Sequence, residues 1–347
     1  MDLYTTGFLN RVVRQLEIDP TAHFLNRFFP TEQAEESEEI HFDVTEEQPR
    51  ISPFVSPLKA GRIIEHEGYT TNTFKPAYIK DKRLFDPDAP VKRLPGEPVL
   101  GGMSAAERTQ RLLGQALANQ NRMLTRREEV MASEVLRTGK VTISGEGFED
   151  VVVDFGRAAA LTIAALTGDA RWSVTDKANP LANLETWSGL IQSNGGGVAR
   201  DVYMEPVVWS YMRQNAEVAS LMDTRRGSDS AGEIGPVAPH RSARLVATVG
   251  DFNIWLYQEP YITDAGVAAN MMPSGTVLLV NGADLEGVRH YGMVKDYAAN
   301  HQAQRAFSKS WVEEDPSRRL LLMQSAPLVV PYRPNASLGA EVLNGGA

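Results

Sequence analysis

The sequence predicts an α+β protein of two domains from which two segments project. Three observations carry that prediction. One helical pattern is far longer than a globular helix, strands reach it from both ends of the chain, and two stretches hold too few apolar side chains to bury themselves.

The helix runs over 104–138. Ser104-Ala105-Ala106-Glu107 has the form of a capping box, in which the serine oxygen takes one orphan N–H and the glutamate reaches back to another. Gly139 follows the last periodic residue, where a left-handed stop needs no Cβ. Between them Leu113, Leu117, Leu124, Met131 and Val135 recur at spacings of four and seven and form the predicted core face, with Arg and Glu opposite. Such a rod is roughly 50 Å long at 1.5 Å per residue. A narrow apolar stripe of that length needs strands laid along it.

Composition narrows the class. A chain of 347 residues supports about two domains. Its net charge of −9 argues against a duplex-reading module, which needs a clustered basic surface. No Cys is present, so disulfides and thiol chemistry are excluded. No apolar core follows Arg11 and Arg14, so a cleaved export signal is not expected, and the run Ala158 to Leu166 is too short to span a bilayer.

In chain order, residues 1–48 are predicted to form an N-terminal arm. It carries a short amphipathic segment, the aromatics Phe24, Phe28 and Phe29, and then Glu32, Glu35, Glu36, Glu38 and Glu39. The acidic run reads either as a solvated linker or as part of an arm whose aromatic end docks on a neighbouring subunit. Residues 49–98 hold eight of the twenty prolines and two short strand patterns, Arg62 to Glu67 and Phe74 to Lys80, around a tip at Gly68 to Asn72. Pro76 restricts the second to an edge, and an isolated ribbon is marginal in water. This loop either folds over its own domain or lies on something outside it.

After the helix a hairpin is predicted from Val141 to Ser144 and from Val151 to Phe155. Late strands at Leu320 to Gln324 and Leu328 to Pro331 are expected to join it against the helix, which makes 99–157 and 306–347 one domain and 158–305 an insertion. The insertion alternates helices and strands. Asn179-Pro180 starts one helix, Pro206 starts another whose inward face runs to Met222 and which Gly227 closes, Leu245 to Tyr257 is a hairpin, and Val202 to Met204 and Val277 to Val280 are strands.

Chemistry is absent from the pattern. There is no phosphate loop, dinucleotide fingerprint or nucleophile elbow, and the six His show no ligand spacing. No catalytic residue, metal or cofactor is expected. Arg225-Arg226 reads as a helix terminus or an inter-subunit salt bridge. Two projections that cannot bury themselves point to a symmetric assembly of copies.

A set of short stretches adds a resemblance. Leu3 to Thr6, Val55 to Pro57, Phe74 to Lys80, Arg93 to Glu97, Gly145 to Phe148, Asp223 to Ser228, Tyr291-Gly292 and Gln324 to Leu328 stand in the order seen in tailed-bacteriophage major capsid proteins. The chain resembles the phage-lambda type, the gene E product family, over nearly its whole length. That resemblance implies the Hong Kong 97-type capsid fold. Residues 1–48 would be the N-terminal arm and 49–98 the extended loop. The peripheral domain would be 99–157 with 306–347 around a spine helix at 104–138, and 158–305 the axial domain.

The resemblance further implies a major capsid protein that self-assembles into hexamers and pentamers around phage double-stranded DNA, in a shell that expands on maturation. Loop contacts to a neighbour are expected from Arg62, Gly68, Tyr69, Phe74, Pro76, Tyr78, Lys80, Arg93 and Glu97, arm contacts from Phe24, Phe28 and Phe29, and axial contacts from Asp223, Arg225 and Arg226. Scaffolding, portal and decoration proteins are expected partners. DNA would be held without sequence-specific binding, no membrane is involved, and the virion would be assembled in the host cytoplasm. The rivals are an encapsulin-type compartment, told apart by protein cargo, a phage decoration or tail structural protein, which would lack the long spine helix, and a soluble α+β enzyme, which would stay a small oligomer.

Overall fold

Ser104 and Gly139 bound the long helix through the groups their positions require. The Glu107 N–H donates to Ser104 Oγ at 3.3 Å and the Ser104 N–H donates to the Glu107 carboxylate at 2.7 Å. Gly139 sits at φ 71°, and its N–H donates to the Val135 carbonyl at 2.7 Å. A Cβ there would also lie 2.6 Å from that of Arg157, so glycine is required twice over. The computed structural model describes residues 4–16, 22–37, 39–45, 51–52, 54, 69–76, 78–95, 97, 102–145, 150–224, 242–315 and 317–343.

Before the long helix come α1 (Thr6–Gln15), α2 (His23–Phe28), β1 (Thr31–Ala34), β2 (Ile40–Thr45), β3 (Tyr69–Phe74) and β4 (Ile79–Phe85). The spine itself is α3 (Ala105–Thr138), followed by the hairpin β5 (Lys140–Ile143) and β6 (Val151–Asp154). Next are β7 (Thr162–Ile163), α4 (Pro180–Ser193), β8 (Asp201–Met204), α5 (Pro206–Met212) and α6 (Ala216–Thr224). Then follow β9 (Ala243–Val249), β10 (Phe252–Tyr257), β11 (Pro260–Ile262), β12 (Ala268–Asn270), β13 (Thr276–Val280) and β14 (Gly287–Tyr291). The chain ends with β15 (Phe307–Glu313), β16 (Arg318–Ser325), β17 (Pro327–Pro331) and β18 (Ser337–Glu341).

A six-stranded sheet in the order β7-β18-β13-β8-β10-β9 forms the larger layer, with α4, α5 and α6 supplying Leu184, Trp187, Val208, Met212 and Val218 to one core. A three-stranded antiparallel sheet, β15-β16-β4, packs Leu321 and Met323 against α1 and the first half of α3. A third sheet, β1-β14-β17, places Leu328, Val329 and Val330 with Met131, Ala132, Val135 and Leu136 from the second half of α3. The spine thus joins two apolar cores end to end.

Several expectations need correction. The helix expected from Pro206 to Met222 is two helices, because Asn215 interrupts it. Its Oδ1 accepts the Glu217 N–H at 3.1 Å, and its Nδ2 donates to Thr175 and Ala178 carbonyls at 3.0 and 2.7 Å. The late strands do not form one layer: β16 joins β4 and β15, whereas β17 joins β14. The last strand, β18, pairs with β13 and β7 in the six-stranded sheet and also lies against the C-terminal end of the spine at Gly339. Of the late strands, β16 and β17 supply residues to the two cores along the spine. In the loop, the pattern Phe74 to Lys80 is broken at Pro76, which cannot donate to a ladder. β3 ends at Phe74 and pairs with β2, and β4 starts at Ile79 and pairs with β16. The expected partner, Arg62 to Glu67, lies outside the described residues.

Asn215→Ala removes a cap and two buried hydrogen bonds, so it should lower unfolding stability by about 2 kcal/mol. Urea denaturation followed by circular dichroism checks this.

Candidate functional site

Three parts of the chain are expected to reach other subunits, and two of them, the N-terminal segment and the extended loop, are rooted differently in this fold. The N-terminal segment is rooted by one side chain of the spine. Glu129, 2% exposed, accepts the Phe24 N–H at 2.8 Å, the Leu25 N–H at 2.9 Å and the Tyr257 hydroxyl at 2.7 Å. A carboxylate at the N-terminus of α2 satisfies donors that the first turn of any helix leaves open. Phe24, Phe28 and Phe29 are then 0, 2 and 0% exposed in the chain's own core, with Phe24 ring-to-ring against Tyr203 at 5.1 Å and Tyr257 at 4.4 Å. These aromatics do not project to a neighbour, which corrects their assignment as arm contacts. Arg27 completes the root: it donates to Asp201 at 2.7 Å and lies 4.7 Å from the Trp255 ring centroid.

From α2 the chain runs into β1, which pairs in parallel with β14. Glu32 meets Arg289 at 3.2 Å, and Glu35 faces His290 Nδ1 at 3.2 Å, with the Tyr332 hydroxyl on the other ring nitrogen. Burial pushes the His290 pKa down, against the pull of Glu35.

The neighbouring spine residue serves a second root. Arg305, just before β15, donates to Asn121 Oδ1 at 2.7 Å, Thr125 Oγ1 at 2.8 Å and Glu128 Oε2 at 3.1 Å, spanning two turns of α3. Gln120, Asn121, Thr125, Glu128, Glu129 and Ser133 are all buried beside the apolar stripe, whereas Arg111, Arg122, Arg126 and Arg127 leave the opposite face of the spine exposed. Leu113, Leu117, Leu124, Met131 and Val135 are buried as well.

The extended loop is rooted at its middle and at its far end. Pro76 is buried against Gly292, where a Cβ would stand 2.5 Å from the proline ring. The Tyr78 hydroxyl donates to the Met293 carbonyl and accepts the Lys295 N–H. At the far end Glu97 is buried. It accepts Leu94 and Met103 N–H groups at 3.0 and 2.7 Å and a bidentate pair from Arg108 on α3, with Arg108 Nη2 at 2.7 Å from its Oε1. Arg108 holds the Glu97 carboxyl down to about 2, helped by the Leu94 N–H. Arg93 donates to the Glu97 carbonyl at 2.8 Å. Pro76, Tyr78, Arg93 and Glu97 thus contact their own subunit; Pro76 and Glu97 are buried there, which corrects their placement on a neighbour, while Tyr78 is half-buried and Arg93 exposed. Phe74 is half-buried against the spine core, Lys80 is exposed, and Tyr69 lies in β3. Arg62, Gly68, Arg225 and Arg226 lie outside the described residues, and Asp223 falls near the end of α6.

Among the described residues no group of three or more His, Asp or Glu is placed to hold a metal ion, and no helix is long and apolar enough to cross a membrane. What these roots do is mechanical: they fix where two long segments leave the body.

A protein-family model described as phage major capsid protein E matches residues 5–342. The chain belongs to that family. It is 29% identical to the major capsid protein of Escherichia phage lambda over 99% of this chain and 100% of the relative. It is 30% identical to that of Escherichia phage N15 with the same coverage. The crystal structure of a capsid protein from a prophage of E. coli CFT073 superposes with a TM-score of 0.74 at 22% identity, covering 97% of this chain and 98% of that one. The phage major capsid protein E fold is the Hong Kong 97-type, and its subunits form the shell of a tailed-phage head.

Two titrations follow from the roots. Burial raises the Glu129 carboxyl to about 7 despite its three donors. Between about pH 4.5 and 7 the folded chain therefore keeps a proton that the unfolded chain has released, so stability should fall as pH rises through that window, by up to about 3 kcal/mol, and level off above it. Glu129→Gln, although weaker overall, should lose that slope in urea titrations at several pH values. Glu97 has the opposite sign. Its depressed carboxyl favours the fold above about pH 4.5, and that contribution is lost as pH falls towards 2. Arg108→Met should shift the onset of acid-induced cleavage near 90–102 to higher pH in limited proteolysis.

Proposed function

We propose that copies of this chain close into hexamers and pentamers of an icosahedral shell around phage double-stranded DNA. The observation that carries this reading is the segment between β2 and β3. Ile51 is 92% exposed and Phe54 fully so, large apolar side chains held off the body by a two-stranded ribbon rooted at Ile40 and Phe74. Apolar surface presented in this way needs a partner, and a second copy supplies it. An obligate interface burying upwards of about 2,000 Å² offsets the cost of ordering such a segment.

In this reading 49–98 is the extended loop that overlaps a neighbour, through Ile51 and Phe54 and the residues outside its two roots. Residues 1–48 act as an arm only past α2, and 158–305 forms the axial domain, with Asp223, Arg225 and Arg226 at contacts around each ring. The spine domain carries the peripheral role. Scaffolding, portal and decoration proteins are the further partners, and DNA is enclosed without base-specific contacts, as the net charge of −9 favours. The subunit acts by assembly and not by turnover, in the host cytoplasm and then in the virion. Shell expansion draws on the loop and on the angle of the spine.

Expression alone and with a candidate scaffold, followed by electron microscopy, is the test. Closed shells of uniform size are expected. Ile51→Asp with Phe54→Asp should abolish them and leave subunits with an unchanged far-ultraviolet spectrum. A wild-type chain that stays a small oligomer under both conditions would refute the reading.

A further inference from the structure

Every copy carries a net charge of −9, so the proposed shell has to bring like-charged subunits together. One face of the fold offers a local exception. The side of β15-β16-β4 turned away from α1 and α3 shows three rows of aligned side chains, Lys80-Gln324-Phe307, Lys82-Leu322-Lys309 and Leu84-Leu320-Trp311. The loop after β14 covers the first row at its β15 end, where Val294 and Ala299 pack on Phe307 and Asp296 accepts from Gln324 Nε2 at 2.8 Å. In the other two rows Lys82 and Leu84 stay exposed and Trp311 half-buried, while Asp296 of that loop pairs with Lys309 and Leu320 is buried.

Lys80, Lys82 and Leu84 are exposed on this face, and the Trp311 ring between the lysines is half-buried. The Lys82 and Lys309 ammonium groups lie 6.0 and 5.9 Å from the Trp311 centroid, and that of Lys80 lies 5.7 Å from the Tyr78 ring. The acidic groups present are already engaged: Asp296 takes Lys309, and Glu313 takes Arg318 at 2.5 Å. Lys80 and Lys82 form no ion pair among the described residues. The face is cationic and apolar at once.

Its complement is on the same chain. The acidic run after β1 leaves Glu36 and Glu39 exposed and without an ion pair among the described residues, while Glu32 and Glu35 are taken by Arg289 and His290. We propose that Lys80, Lys82 and Trp311 form a docking face for the Glu36–Glu39 segment of a second copy. This rests on the shell reading above. A second copy fits better than nucleic acid, because two free ammonium groups on a flat, partly apolar face cannot follow a phosphate backbone. A contact between one patch and a different patch is heterologous, and repeated around an axis it closes a ring.

The test uses assembled protein from an equal mixture of ¹⁵N-labelled and unlabelled copies, treated with a zero-length carbodiimide cross-linker. Peptides joining Lys80 or Lys82 to 36–39 are expected, about half of them pairing one labelled with one unlabelled chain if copies mix at random. No such peptide, or only isotope-pure ones, would overturn the proposal. In parallel, K80E with K82E should cut particle yield about tenfold or more at unchanged thermal unfolding, and E36K with E39K in the same chain should restore it. Loss without restoration counts against the acidic segment as occupant, as does unchanged yield. Nucleic acid that co-purifies with wild type and is lost from K80E/K82E would assign the face to a phosphate polymer instead. Should wild type give only small oligomers that still carry mixed-isotope links, the shell reading fails and this contact stands. Should those links also be missing, both fall.

Discussion

Two adjacent carboxylates on one helix hold this molecule in register. Glu129 turns one way and takes the opening N–H groups of α2, and Glu128 turns the other way and takes Arg305. Both are buried, and neither can lose its partners cheaply, since an unpaired buried charge costs several kcal/mol. An apolar pair at the same positions would pack, but it would accept α2 or β15 displaced by a residue. Directional hydrogen bonds accept one placement only. The exits of the N-terminal segment and of the spine-side sheet depend on that choice.

The spine divides accordingly. Leu113, Ala116, Leu117 and Leu124 belong to the core under β4-β16-β15, and Met131, Ala132, Val135 and Leu136 belong to the core shared with α2 and β17. Between them lies the polar belt from Thr125 to Glu129. The belt joins the two cores through directional hydrogen bonds and not through interdigitated apolar side chains. The C-terminal end of the spine is held by close packing instead, because β18 brings Gly339 so near that a Cβ there would stand 2.2 Å from the Arg137 carbonyl oxygen.

Much of this was legible in the sequence, and the failures share a cause. The capping box at Ser104 and the stop at Gly139 are local signals, and local signals survive folding. The hairpin β5-β6 and the helix start at Asn179-Pro180 were readable for the same reason. The belt has a local signal too. Residues 117, 121, 124, 128, 131 and 135 alternate in steps of four and three, and Asn121 and Glu128 stand in that stripe among apolar neighbours. A carboxylate on a core stripe signals a buried cation or a captured backbone, but its partners, Arg305 and α2, are over a hundred residues away and no spacing announces them. β14 gives no strand signal because it is buried on both faces with Arg289 on one and His290 on the other, which no alternation rule scores as apolar.

The aromatic cluster shows how far a composition argument reaches. Phe24, Phe28 and Phe29 on a segment without its own core must be covered by something, and that inference is sound whether the cover is a neighbour or the same chain. What decides between them is the polar backbone the aromatics bring along. Without acceptors for the Phe24 and Leu25 N–H groups, α2 would cost as much to bury as its rings return. Glu129 supplies those acceptors within the chain. Ile51 and Phe54 are almost wholly exposed, on a stretch that belongs to none of the apolar cores. Both segments are apolar and sequence-distant from any core. Of the two, the segment whose backbone Glu129 matches folds into its own subunit.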